Sequence, residues 1–428
     1  MLLSFRVANH RSIREEQQLL LSPVYDTDRP EGTAREAVPV VALFGANAAG
    51  KSNVVDALRF MADMVRSSHR NAEPGSGISR TPFLLDAACA ADPSWYVVDL
   101  LLQGVRYVYG FSVDDERVRD EWLYSYPKGR KRTVFQREGD EIHFGDSAPK
   151  RELDLVQNIT EPNVLFLSIA ARSRQEVVLP VYEWFFQSLG FRQGGVSRST
   201  RGMGRRMARI LRDADQAAAV VALLRAADVG IEAAGVQTFA VDEMELILAK
   251  RAGFTGNFEP STWVWVGQRG RNGPVRMGLE DQSEGTRALL SYAEPVLGAL
   301  RDGGLLAVDE IDSSLHPRLT AHLIKLFQDP ATNPEGAQLL LTTHDASLLG
   351  RSGGEDVLRR DQVWFVEKNE YGETTLFPLS DFKPRQEENR ERRYLGGSYG
   401  AVPFLSDERF EAAVAARGRA DGGADPEE

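Results

Sequence analysis

The sequence predicts an α/β fold: a mixed sheet carrying an antiparallel β meander and a mainly helical insertion. Three observations predict it. Short apolar runs at Ala37–Phe44, Leu305–Val308 and within "AQLLLTTHD" suit strands covered on both faces of a parallel sheet. A segment from about Trp95 to Phe144 alternates apolar and polar residues and is cut by Gln-Gly, Asp-Asp, Pro-Lys-Gly and Gly-Asp turns. From about Glu152 to Leu248 the pattern is mainly helical, as in the Ala-Leu-rich "RMARILRDADQAAAVVALLRAADVGI".

In chain order, "LLSFRVANHRSI" alternates as a half-buried strand does. After the buried run ending at Phe44 comes a glycine-bounded turn. Val54, Val55, Leu58, Met61 and Val65 then recur at helical spacing. The meander and the helical segment follow. Within the latter, "RQGGVSRSTRGMGRR" reads as a flexible basic loop. Parallel α/β character returns with "GGLLAVDEID" and "AQLLLTTHD", each apolar run ending in acidic or polar residues. The end, "ARGRADGGADPEE", lacks the apolar content to pack and reads as a disordered tail over 416–428.

The chain has 428 residues, 42% hydrophobic and 26% charged, enough for one large α/β domain with insertions or for two domains. A formal net charge of -11 argues against a protein that coats nucleic acid over its whole surface, although a local basic groove remains compatible with it. The single cysteine, Cys89, excludes an intramolecular disulfide and a Cys-based zinc site, and fits a reducing compartment. No stretch approaches the roughly 20 apolar residues that span a bilayer, and the start has no secretory pattern. The expectation is a cytoplasmic protein without membrane contact.

Gly45-Ala46-Asn47-Ala48-Ala49-Gly50-Lys51-Ser52, followed by Asn53, fits G-x-x-x-x-G-K-[ST] in full. Glycines let the turn curl so that backbone N–H groups and a helix N-terminus surround a phosphate. Lys51 would reach the β and γ oxygens, and Ser52 would ligate Mg²⁺. The buried strand before it and the amphipathic helix after it are the context this chemistry requires. "GGLLAVDEID" delivers Asp309 and Glu310 to the C-terminal end of a strand, where open α/β sheets bind ligands. Asp309 is expected to hold the metal, and Glu310 to orient or deprotonate an attacking water. His344, ending the third apolar run, is placed to bond the γ-phosphate or that water.

Phosphate loop, D-E strand end, "SSLHP" and "TTHD", in this order, resemble the ATP-binding-cassette ATPases, and within them the SMC/RecF-like branch. The resemblance implies an ABC-ATPase-type mixed sheet, ATP and Mg²⁺ as ligands, and ATP hydrolysis by a homodimer or higher homo-oligomer. "DQSEGTRALL" occupies the place of the signature motif. The resemblance implies that Ser283, Glu284 and Gly285 approach the γ-phosphate held by the other subunit. "NHRSI" is similar to an "NFRSI" opening in that branch, which makes Arg11 the implied basic residue near the phosphates. The glutamine that follows the phosphate-loop helix in the family has no clear match; "TPFLLD" occupies its place, and no second magnesium ligand is assigned.

"WLYSYPKGRKRTVFQREG", "DQVWFVEKNEYGETTLFPLSDF" and "RRYLGGSYGAVP" look like the compact AAA-type, ABC-like ATPases of bacterial anti-phage and abortive-infection operons, such as the AbiL and PARIS systems. That resemblance implies a separate effector partner, a nuclease of the RloB or TOPRIM kind. The pattern along the chain divides it into an N-terminal ATPase lobe over 1–150, a mainly helical insertion over 151–250, read equally as a dimerisation or partner arm or as a lid that only completes the core, and a C-terminal lobe over 251–415.

The alternative is a DNA-repair or chromosome-associated ATPase acting directly on DNA. It would use "RSTRGMGRRMARILR" as a phosphate-backbone contact, but the long coiled-coil arm common in such proteins is missing. A fused TOPRIM nuclease does not fit, because too little chain remains after "DQVWFVE". A transporter subunit does not fit either, because "SEGTR" departs from the transporter signature.

Overall fold

Val40–Phe44 is fully buried along its whole length, and its period-two alternation feeds two different cores. Val41 and Leu43 face one, while Val40, Ala42 and Phe44 face the other, which is why the run is apolar without interruption. The computed structural model describes residues 1–25, 36–71, 73, 75–146, 149–194, 200–227, 230–239, 261–313, 315–385, 387–403, 408, 411–412 and 414. The expected tail over 416–428 lies outside them.

Strands β1 (Leu2–Ala8) and β2 (Gln17–Leu20) precede β3 (Val40–Phe44), which leads through the glycine turn into α1 (Lys51–Asn71). After the short α2 (Ala87–Ala91) comes the meander: β4 (Ser94–Leu102), β5 (Val105–Val113), β6 (Val118–Tyr126), β7 (Arg132–Glu138) and β8 (Glu141–Phe144). With β1 and β2 these form a seven-stranded antiparallel sheet in the order β2-β1-β4-β5-β6-β7-β8. The meander read from alternation is present, and the first strand of the chain joins it.

The next segment carries α3 (Lys150–Gln157), α4 (Phe166–Arg172), α5 (Leu179–Glu183), α6 (Thr200–Ile210) and α7 (Ala214–Ala227). It also holds β9 (Leu189–Gln193), which enters the central sheet beside the acidic strand, so this region is not helical throughout. The reading of "RQGGVSRSTRGMGRR" as a loop is corrected over 200–206. Met203, Met207, Ala208 and Ile210 bury one helical face of α6, leaving Arg205, Arg206 and Arg209 exposed on the other. Residues 195–199 and 240–260 lie outside the described residues.

Three antiparallel strands form a further sheet, the first of them inside the segment read as mainly helical and the other two passed over by the sequence reading. They comprise β10 (Ile231–Phe239), β11 (Ser261–Gly270) and β12 (Gly273–Gly278). Helix α8 (Glu284–Asp302) follows, then β13 (Leu305–Asp309), α9 (Pro317–Gln328) and β14 (Gln338–Thr343). A small hairpin of β15 (Arg351–Ser352) and β16 (Glu355–Asp356) precedes β17 (Val363–Lys368), β18 (Thr374–Pro378) and α10 (Arg390–Leu395). The central sheet runs β18-β17-β3-β14-β13-β9, parallel except for β18.

Parallel pairing puts the C-terminal ends of β3, β13 and β14 side by side: Phe44 pairs with Thr343, and Val308 with Leu341. Helix α1 packs on one face of this sheet with the meander, and α8 and α9 pack on the other. Among the described residues no helix is long and apolar enough to cross a membrane.

Candidate active site

The turn after β3 needs a left-handed backbone twice, at Ala48 (φ 63°) and Gly50 (φ 108°). Gly50 has a second reason to be glycine: a Cβ there would lie 2.2 Å from Thr374 Oγ1. A Cβ at Gly45 would lie 2.3 Å from the carbonyl oxygen of Val366 on β17. The loop is thus pressed against the β17–β18 hairpin by backbone contacts that leave no space for side chains.

Lys51 opens α1, so the first N–H groups of the helix lack an i−4 partner, and that of Asn53 turns to Gly50 O (3.0 Å). Lys51 Nζ donates to the carbonyl oxygens of Gly45 (2.7 Å) and Ala46 (3.0 Å). Burial pushes the ammonium's pKa down, and Asp312, Glu310 and Asp309, in that order of strength, pull it back up. A buried cation beside the N-terminus of a helix suits a phosphate.

Opposite the loop, Asp309 ends β13. Its Oδ1 accepts from Ser52 Oγ (2.9 Å) and from Thr342 Oγ1 (2.6 Å). Thr342, fully buried on β14, in turn accepts the N–H of Glu310 at 2.7 Å, and Glu310 sits at φ 54°, a conformation unusual for a residue with a side chain. One hydroxyl therefore fixes both acids of the D-E pair. Ser52 and Asp309 offer a hydroxyl and a carboxylate oxygen at one point, a donor set that fits Mg²⁺, which keeps waters and phosphate oxygens as its other ligands. Among the described residues no group of three or more His, Cys, Asp or Glu side chains could hold a metal alone.

His344 follows β14, about 60% exposed, with Nδ1 3.0 Å from Asp312 Oδ2. Tyr292 reaches the same acids from α8: burial raises its pKa, and Asp312, Asp309 and Glu310 raise it further. Asn53 Nδ2 donates to Ser12 Oγ, which lies 2.7 Å from Thr374 Oγ1; that hydroxyl donates to Ala49 O (2.8 Å), and Thr374 N donates to Ser12 O (2.7 Å). The phosphate loop is thus clasped by the N-terminal turn and by β18.

That turn is the "NHRSI" stretch, and each of its side chains has a task. Asn9 donates to the carbonyls of Cys89 (2.6 Å) and Asp92 (2.7 Å) and accepts from Phe83 N (2.8 Å). Buried His10 joins Tyr96 OH (2.9 Å) to Asp56 Oδ2 (3.0 Å) on α1. Arg11 also pairs with Asp56, so its guanidinium is engaged on the side of α1. The His10 hydrogen bond, then the Arg11 bond, lower the Asp56 pKa to about 2 against the burial that would raise it. "TPFLLD" packs on the same turn: Thr81 O accepts from Arg11 N, and Asp86 caps α2 and pairs with Arg14.

Lys51, Ser52, Asn53, Asp309, Glu310 and His344 thus share one end of the central sheet with the loop residues Gly45 to Gly50. Ser283, Glu284 and Gly285 stand apart from this set at the start of α8, where Ser283 Oγ caps the helix by accepting from Thr286 N (3.1 Å). The sequence reading missed Asp312, Thr342, Thr374, Ser12 and Tyr292. Only Asp312, two residues beyond the D-E pair, carried a positional signal.

The profile of the family described as "AAA domain, putative AbiEii toxin, Type IV TA system" matches residues 40–176 and 252–350, more than half of the chain. Both matched segments carry the site. Among solved structures the chain is similar to the SMC head domain from Thermotoga maritima, at 14% identity and a TM-score of 0.40, covering 88% of this chain and 98% of that one. It is also similar to the SmcHead bound to the C-winged helix domain of ScpA, at 12% identity and a TM-score of 0.41, covering 89% and 99%. No curated protein matches the sequence.

Proposed function

We propose that this chain, which belongs to the AAA-domain family of the AbiEii type, binds ATP in the Gly45–Ser52 cradle, hydrolyses it and works as a nucleotide-driven dimer. The observation that carries this reading is the convergence of Ser52, Asp309 and Thr342. Three segments far apart in sequence meet within hydrogen-bonding distance opposite a glycine turn.

In this reading the loop N–H groups and Lys51 hold the β- and γ-phosphates, Lys51 exchanging the Gly45 and Ala46 carbonyls for phosphate oxygens. Ser52 and Asp309 would hold Mg²⁺, which offsets charge on the phosphate oxygens when bound. Glu310 accepts a proton from the attacking water, the water oxygen bonds to the γ-phosphorus, and the bridging bond to ADP breaks. His344 accepts from the attacking water, and Arg11 leaves Asp56 to donate to the γ-phosphate. Ser283, Glu284 and Gly285 of a second copy close on the γ-phosphate with the positive end of α8.

The dimer's closing would regulate a separate effector, a nuclease in bacterial anti-phage defence, with the 151–250 segment as partner arm. The spellings shared with abortive-infection ATPases support that role. Direct action on DNA is the second reading, and the exposed arginine face of α6 is the observation on its side.

ATP turnover and light scattering test the proposal together. Lys51→Ala is expected to abolish hydrolysis, and Glu310→Gln to bind ATP, turn it over slowly and accumulate a dimer. Wild-type turnover in the first variant would refute the site, and a monomer under ATP in the second would refute the sandwich.

A further inference from the structure

We infer that Asp312 is a positioning residue that fixes the tautomer and aim of His344, so that Nε2 is the ring nitrogen presented, as an acceptor, to the attacking water. This rests on the ATPase reading above. The Asp312 side chain is only 6% exposed, whereas His344, which it holds at 3.0 Å through Nδ1, is 60% exposed. Packing alone does not fix so open an imidazole.

A carboxylate can only accept, so Nδ1 must carry the proton and Nε2 is left for another partner. The same Oδ2 lies 3.5 Å from the His344 backbone N–H, which ties the acid to the strand end as well as to the ring. Asp312 Oδ1 is buried with no hydrogen-bond partner among the described residues, an arrangement that costs stability and calls for a reason. Its place bears on that: Thr343 is in register with Phe44 of the phosphate-loop strand, so His344 follows the strand end beside which Gly45 begins the cradle. Nε2, left with its lone pair, then accepts from the attacking water without the ring turning.

The test combines a spectroscopic readout with a kinetic cycle. The chain has six histidines, so ¹⁵N spectra of the histidine-labelled protein resolve the ring of His344, identified by its loss in His344→Ala. The wild type should show Nδ1 protonated, and Asp312→Ala should shift that ring toward the Nε2–H form. Asp312→Ala should lower kcat about 10- to 100-fold with KM for ATP nearly unchanged, the scale typical of groups that orient a functional imidazole.

Asp312→Ala added to His344→Ala should lower kcat no further. An equal loss in both backgrounds would make Asp312 an independent structural group and overturn the inference, as would an unmoved tautomer. Should Asp312→Ala fail to fold, Asp312→Asn keeps the shape and the acceptor without the charge, and an intermediate kcat is expected; full wild-type turnover would overturn the role of the charge. The tautomer is read without turnover, so a chain that hydrolyses no ATP sinks the ATPase reading while leaving the pairing itself measurable.

Discussion

Gly50 combines two constraints that a methyl group would break together. Gly50→Ala would hold an L residue at φ 108° and drive its Cβ into Thr374 Oγ1. We expect loss of measurable nucleotide binding by calorimetry and destabilisation of about 2–4 kcal/mol in urea unfolding. Asp56 gives a prediction with a pH signature. Its carboxyl is held at about 2, below the ordinary 3.8, so the ionised form favours the folded state. That contribution is complete above the ordinary value and is lost as pH falls through 2. Asp56→Asn should therefore be less stable than wild type at pH 7, with the gap narrowing below about pH 4. An equal gap at pH 7 and pH 3 in urea titrations would contradict the assignment. Single polar residues such as Thr342 and Thr374 were not legible beforehand, because a threonine in an apolar run looks the same whether it fills a strand or joins two acids.

At the scale of elements, α4 starts without a side-chain cap of its own, and Glu121 on β6 supplies one from across the meander. Its carboxylate accepts from Phe166 N (2.6 Å), Leu167 N (2.9 Å) and Tyr109 OH (3.0 Å), with Arg137 3.9 Å away, all buried. Ser168 Oγ on α4 then donates to Val65 O (2.7 Å) on α1. The meander thus steadies the phosphate-loop helix through one intermediate helix. Glu121→Ala would take the acceptor from Tyr109 OH and two backbone N–H groups and the buried countercharge from Arg137, and we expect a loss of about 3–5 kcal/mol in urea unfolding. The strands that carry the site were legible as elements because burial on both faces forces unbroken apolar runs. The β10–β12 sheet was not, although "STWVWVGQRGRNGPVRMG" alternates and turns at Arg271–Asn272. The start of α6 was taken for a loop because its glycines and arginines masked the spacing of Met203 and Met207.

At the scale of the whole molecule, the antiparallel sheet and the central sheet are joined at Gln338. Its side chain accepts from Leu2 N (2.6 Å) and donates to Leu2 O (2.9 Å), continuing β1 toward the start of β14 by an amide that is almost wholly buried. Gln338→Leu keeps the bulk but leaves the Leu2 N–H and carbonyl unanswered, and a loss of about 1–3 kcal/mol is expected in urea unfolding. Unfolding that stays cooperative and undiminished would mean that other contacts hold the two sheets, such as Leu376 N to Gln17 Oε1 (2.8 Å).

The clasp on the phosphate loop bears on this organisation too. Thr374 touches Ala49 and Ser12, and the turn 369–373 just before it carries the exposed Tyr371. A molecule that gripped that turn and displaced Thr374 would have a short lever on the cradle. Reciprocity would then make nucleotide occupancy change the grip by the factor that the grip changes nucleotide affinity.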